Sequence, residues 1–381
     1  MRSPRMTDER GVALPMAIFA LVVIGLLVAG TFFASRLEQQ SGQNTLFASQ
    51  AAEAAEAGLS DALGSTYSTA ASLQAIGVGN SSAPITVTLA SGISYTESVD
   101  QLTSSVYLYR SVGTRQSAGA TVATRSVGVL ARLVSMNIAV NAGLTALGDV
   151  TVGGNSTVSG TDATPPEWTA AGVTCPPTAD VTGVRYNGTL TKSGSSSVTG
   201  QPVSQLDPSL NNSTIFGGTD FASLKALRTL TLTGNISGLA PAVIGSPAVC
   251  NTSLENNWGA PTDQTSPCFN YFPVIYHYGD LSISGSGAGQ GILLVEGNLN
   301  VQGQIDFYGP VIVTGGVNVR GTGSDDVKFY GGILAQNVTL DDSRLTGNAT
   351  VNYSSCAIRR ALQGSAVPTP LSERSWVQLY N

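Results

Sequence analysis

Residues 12–34, VALPMAIFALVVIGLLVAGTFFA, carry no charged side chain. As a helix rising about 1.5 Å per residue, this run reaches roughly 35 Å, enough to cross the hydrocarbon core of a bilayer. A secretory signal has a shorter apolar core, about 7–15 residues, with a small-residue cleavage site behind it. Here the run passes instead into further helix-forming sequence, SRLEQQSGQNTLFASQAAEAAEAGLSDAL. The polar leader before it, MRSPRMTDER, contains Arg2, Arg5 and Arg10. Positive charge on that flank keeps the leader cytoplasmic and places everything after about residue 35 across the membrane. The expectation is a single-pass inner-membrane protein with an extracytoplasmic C-terminal part, in the periplasm, at the cell surface or in a surface fibre.

Beyond the membrane the helical pattern continues. Leu46, Phe47, Ala51, Ala55, Leu59, Ala62 and Leu63 recur at three- and four-residue steps as one apolar stripe, with Glu53 and Glu56 off it. Gly64 then reads as the helix stop. Residues 84–134 switch to period two. PITVTL, ISYTESV, SVYLYRSV and ATRSVGVLARLV alternate apolar and polar side chains, and Ser91-Gly92, Gly113 and Ser117-Ala118-Gly119 read as the turns between them. This predicts a small antiparallel β region over 65–135, laid against the end of the helix spanning 12–64.

From about residue 136 short strands alternate with glycine corners, first in ALGDVTVGGNSTVSG and again after residue 277. Ile292-Leu293-Leu294-Val295 aligns with Val311-Ile312-Val313-Thr314 at a step of 19, and then with Ile333-Leu334-Ala335-Gln336 at a further 22. Tyr308-Gly309 recurs as Tyr330-Gly331, and Gly297 as Gly316. A period near 20 residues is the mark of a solenoid, whose units bury an apolar face only by stacking. The fold class expected is therefore mainly β with a long N-terminal transmembrane α-helix. After the small sheet comes a right-handed parallel β-helix-like solenoid over 136–160 and 277–360. An antiparallel sandwich is the competing fold.

Residues 161–276 hold 11 of the 17 prolines and three of the four cysteines, and read as an irregular insertion, clipped by disulfides, with a short helix near Asp220–Leu230. AIRRALQ reads as a closing helix, and residues 361–381 as a C-terminal cap and tail. Cys175, Cys250, Cys268 and Cys356 include no C-x-x-C pair, which argues against zinc. An even number beyond an export anchor points to two disulfides. Three connectivities are open; Cys250 with Cys268 brackets a turn-rich loop and leaves Cys175 with Cys356. Buried free thiols are the alternative.

Chemistry-bearing residues are sparse. Charged residues make up 11% of the chain, and the net charge of −6 gives no electrostatic reason to expect nucleic acid. The single histidine, His277, sits in a strand-like run, and no G-x-S-x-G elbow is present. Asp325-Asp326 and Asp341-Asp342 fall in apparent turns, where aspartate is favoured without any catalytic role. Gly285-Ser-Gly287-Ala-Gly289-Gln-Gly291 lacks the Lys-Ser/Thr of a phosphate loop and leads into a strand. It reads as a corner of the solenoid. Sequons such as those at Asn235 and Asn337 arise by chance in so Asn/Ser/Thr-rich a chain. No catalytic, cofactor-binding or metal-ligating residue is assigned, and the chain is not expected to be an enzyme.

Gly11, followed by Val12-Ala13-Leu14 and the apolar run, resembles the leader of type IV pilin-like proteins. The segment AAEAAEAGL (51–59), ending in Glu-Ala-Gly, resembles the corresponding stretch of PilX-type minor pilins. The resemblance covers about residues 8–63. It implies cleavage by a prepilin peptidase between Gly11 and Val12, a mature protein that begins with its membrane helix, and packing with other pilin-like subunits. One departure is Met16, which falls where most pilins carry a glutamate at the fifth mature position. That argues against a major, fibre-building subunit. The function implied is a minor pilin or pseudopilin-like subunit of a type IV pilus or related secretion system. Its solenoid would be displayed for assembly or adhesion, with a surface or glycan ligand. The alternatives are a membrane-anchored β-helical scaffold or adhesin unrelated to pili, on a plain uncleaved signal anchor, and an anchored polysaccharide-active enzyme.

Overall fold

In the computed structural model, which describes residues 13–211, 215, 220–321, 326–335, 343–346, 348–372 and 376–379, one long helix precedes a body that is mainly β. Helix α1 (Ala13–Asp61) is a single run of 49 residues. Its part from residue 14 to residue 46 is exposed all round and is long and apolar enough to cross a membrane. The predicted stripe is buried only further along. Ala51, Ala55, Leu59 and Ala62 are inside, Phe47 and Leu63 are half-buried, and Leu46 is exposed. Past Asp61 the helix widens into a π turn, Ala62–Thr66, closed by the Tyr67 N–H donating to the Ala62 carbonyl at 2.9 Å. Gly64 therefore sits within this turn and does not end the helix. Burial of Ala62 and Tyr67 carries the chain past it.

The helix end lies on an antiparallel sheet ordered β1 (Ile85–Ala90), β2 (Ile93–Gln101), β3 (Val106–Ser117) and β4 (Ala120–Val134). Val99, Tyr107, Tyr109, Val129 and Ala131 from its inner face pack on Leu59 and Ala62. Gly113, read from the sequence as a turn, lies inside β3 opposite Tyr95. A Cβ there would overlap the carbonyl oxygen of Ala51, so this glycine marks close approach of helix and strand. The C-terminal segment also departs from expectation. Val367–Pro370 and Trp376–Leu379 pair antiparallel with β4 and extend this sheet, instead of capping the solenoid.

The rest of the body is a stack of parallel tiers, each built from up to three short strands in succession. One tier contains Val274–Tyr278, Leu281–Ser284 and Ser286–Gln290; its neighbour continues with Ile292–Glu296, Leu299–Gln302 and the start of Gln304–Val313. Strands of adjacent tiers pair in parallel on each side. The observed step is 18, not 19: Leu293 faces Val311, Leu299 faces Val317, and the Gly315 N–H donates to Gly297. The next step is 22, with Val311 facing Ile333 and Tyr308-Gly309 facing Tyr330-Gly331. Gly309 and Gly331 take φ of 139° and 144°, and a Cβ on either would strike the carbonyl of the glycine one tier away. The repeated glycine is thus required by both backbone angle and space.

Inside the tiers lie Leu293, Val295, Leu299, Val301, Val311, Val313, Val317, Val319 and Ile333, joined by Phe307 and Phe329. The sheet containing Ile292–Glu296 is also covered on its outer face. Ile292, Leu294, Ile312 and Leu334 pack under Trp168 and the helix Ser355–Gly364. That helix, expected to close the end of the stack, therefore covers its side.

Segment 161–276 is not wholly irregular. Thr182–Tyr186, Leu190–Lys192 and Ser197–Thr199 pair in parallel with Ala142–Ala146, Val150–Val152 and Thr157–Ser159 at a step of 40. At the opposite end Leu230–Leu232 and Ile236–Ser237 pair with the 274–284 tier. The tiers do not follow chain order. Ile333 faces Leu144 and Ser343 faces Val150, so the last tier formed along the chain sits on the first. Residues 207–229 carry the chain from one end to the other, with Ile215 and Leu224 buried on the outer face. The short helix there spans Phe221–Ala226, and the Asp220 side chain caps it by accepting from the Ser223 N–H at 2.6 Å.

Candidate functional site

The joint between α1 and the antiparallel sheet is where the long apolar helix meets the β body. Glu56-Ala57-Gly58 lies on the buried turn of α1, and a Cβ on Gly58 would collide with the Tyr95 ring and the Ser111 hydroxyl. The missing side chain lets helix and sheet touch. The Tyr95 hydroxyl donates to Asp61 Oδ2 at 2.6 Å, and Ser65 donates to the other Asp61 oxygen. These bonds, Ser65 first, hold the Asp61 carboxyl below its ordinary value, while burial and the Asp61 bond push Tyr95 up to about 12. Glu97 lies beside them. It is 0% exposed, faces inward between Tyr95 and Val99, and stands opposite Ser111 on β3. Neither carboxylate oxygen has a hydrogen-bond partner. Burial raises its pKa, nearby Asp61 adds to the rise, and the Thr66 hydroxyl offsets it only in part without reaching hydrogen-bond geometry.

Gly11 and Val12 lie outside the described residues. The four cysteines form two disulfides, Cys175–Cys356 and Cys250–Cys268. The first ties the 161–181 segment to the helix Ser355–Gly364. Beside it Asp162 accepts from the N–H and hydroxyl of both Thr178 and Ser355, at 2.7–2.9 Å. His277 is buried, its two ring nitrogens 3.3 Å from the Leu232 carbonyl and 3.2 Å from that of Asp280, both main-chain contacts. Asp325, Asp341 and Asp342 lie outside the described residues, as does Asn337. Gly285–Gly291 is not a corner: Ser286–Gln290 is a strand that pairs with Gln304–Val313.

Three arrangements were not visible in the sequence. Glu167, Asp306 and Tyr308 each bury an oxygen without a hydrogen-bond partner, beside the stacked rings of Trp168, Tyr308 and Tyr330. Burial raises the Asp306 carboxyl, Lys328 opposes the rise, and Glu167 and Asp326 add to it. Lys225 pairs with Glu296 at 2.7 Å and lies 4.8 Å above the Tyr276 ring, whose hydroxyl also donates to Glu296. An open cleft of about 300 Å³ on the outer face of the 281–320 strands is lined by Ser282, Asn300, Gln302, Asn318 and Arg320. Its amides and hydroxyl are suited to hydrogen bonding. The larger cavity, about 480 Å³, sits between residues 68–70, the Cys250–Cys268 loop and Gly364–Val367, and no charged side chain lines it. Among the described residues, no cluster of three or more His, Cys, Asp or Glu side chains is placed to hold a metal ion.

No family model matches the chain, and no curated protein matches it. Among solved structures, the competence-associated pilin ComZ from Thermus thermophilus is similar at 12% identity, over 87% of this chain and 97% of that one, with a TM-score of 0.26. An overlap of that size fixes neither fold nor function for this chain.

Proposed function

We propose that the chain is a minor pilin or pseudopilin-like subunit of a type IV pilus or related secretion system. In this reading a prepilin peptidase cuts between Gly11 and Val12, α1 remains as anchor and packing element among other pilin-like subunits, and the β body is displayed outside the inner membrane. The stacked tiers are read as a right-handed parallel β-helix that serves assembly or adhesion. Its outer residues, Ser282, Asn300, Gln302 and Asn318, suit contact with a partner surface or glycan better than proton transfer. The role proposed is therefore contact, not turnover. The observation that supports this most directly is the division of labour along α1, exposed and apolar from 14 to 46 and seated on the antiparallel sheet from Phe47 onward. Met16 at the fifth mature position favours a minor over a major subunit, and also keeps open a β-helical scaffold or adhesin anchored independently of pili. N-terminal sequencing of the protein from its native membrane tests the reading. The expected mature terminus is Val12, and Gly11→Leu should abolish cutting while leaving the outer body folded. An intact Met1 excludes the pilin reading and leaves the anchored scaffold, and a terminus beyond residue 34 excludes both.

A further inference from the structure

We propose that Glu97 is a pH-dependent latch between the membrane-anchored helix and the outer body. As a neutral acid it needs no counter-charge in the closed space beneath Gly58 and keeps α1 seated; when the proton leaves to solvent, the bare carboxylate, with no donor within reach, loosens that seat. The inference is independent of the pilin reading and requires only the joint.

Geometry carries it. A carboxylate at 0% exposure with no partner for either oxygen is costly, whereas the neutral acid carries no charge into that space. The Ser111 hydroxyl, on the residue directly opposite, is also buried and makes no hydrogen bond to it. No cation faces Glu97 among the described residues. On α1 the nearest titratable group is Asp61, an acid already engaged with Ser65 and Tyr95. Glu53 and Glu56 are exposed. On β3 the neighbours are Tyr107 and Tyr109, the latter donating to the Tyr67 carbonyl at 2.7 Å. On β4, Val127 and Val129 are apolar. Arg115, further along β3, donates to the Ser91 carbonyl at 3.0 Å and lies over the Phe47 ring, while its Nε is buried without a partner.

The sign follows from the raised carboxyl. An unfolded glutamate titrates near 4.5, and burial lifts the folded value above that. The latch is therefore fully closed below about 4.5 and is lost as pH rises through the folded value.

The test uses the full chain in detergent micelles, with hydrogen exchange of the 51–62 amides compared at about pH 5 and pH 8 after correction for intrinsic exchange. The expected result is several-fold weaker protection at the higher pH. Glu97→Gln, which cannot ionise, should hold the same protection at both. Wild-type protection that does not change with pH, or a Glu97→Gln protein that keeps the wild-type dependence, overturns the proposal. Should Glu97→Gln fail to fold, carboxyl ¹³C titration of the wild type decides: titration of Glu97 above the ordinary glutamate range supports the latch, and titration at or below it overturns it.

Discussion

The helix–sheet joint and the parallel stack bury acids in opposite ways. At the joint Glu97 is enclosed with no partner, and Gln101, Tyr107 and Ser111 around it also bury unpaired oxygens. In the stack, burial pushes the Asp162 carboxyl up as well, but the four hydrogen bonds from Thr178 and Ser355 outweigh it and leave the group below its ordinary value. Glu97 is also the deeper of the two, fully enclosed where Asp162 is half-buried, so depth and the supply of donors together set the charge. The side-chain nitrogen of buried Gln290 is likewise partnered, although its Oε1 is not. Gln290 donates to the Phe269 and Tyr271 carbonyls at 2.7 and 2.9 Å. Asp306 is the stack's exception, a raised acid next to Glu167. The comparison sets an acid supplied with donors against one that has none.

The sharpest way to break this contrast is Val313→Asp. Val313 is 0% exposed inside the tiers, and an unpaired charge there should cost more than about 4 kcal/mol and abolish cooperative melting of the stack. The same charge at Val122 on β4, 43% exposed, should cost less than about 0.5 kcal/mol. Gly113→Ala comes next. Its methyl group must displace the Ala51 carbonyl, so about 2–3 kcal/mol should be lost at the joint alone. Limited proteolysis should then cut between residues 61 and 85 while the stack keeps its protection. After it comes Asp162→Asn, which loses about 1–3 kcal/mol at neutral pH. Because the Asp162 carboxyl is depressed, its stabilisation is present above about 3.8 and fades as pH falls through the folded value, the reverse of Glu97. Thermal melts of the wild type and variant should therefore converge in acid.

Much of this architecture was legible because one face of each element is wet. The alternation in β2 and β3 marks the antiparallel sheet, and the three- and four-residue steps of Ala51, Ala55, Leu59 and Ala62 mark the seat of α1. Where both faces are buried, the pattern loses its phase. Ile292-Leu293-Leu294-Val295 is apolar at every position, so strand identity was readable but a step of 18 could not be told from 19. A one-residue slip moves each side chain to the other face, and only the paired structure shows Leu293 and Val311 pointing inward together. Three-residue strands such as Leu190–Lys192 are too short for a periodic signal, which hid the tiers inside the proline-rich segment. Gly113 was misread because a glycine that allows contact looks the same in sequence as one that allows a turn. Glu97 left one usable trace: in ISYTESV it falls in phase with Tyr95 and Val99, the inward positions.

The order of the tiers has a consequence for synthesis. The tiers containing Leu144 and Val184 emerge early, yet the apolar surface of the first is covered only when Val327–Ala335 arrives nearly 190 residues later. During synthesis those early tiers wait with one side bare while the remainder assembles from the far end back toward them. A chain that stops near residue 320 would lack not an end of the stack but its middle, leaving two short stacks with facing apolar surfaces.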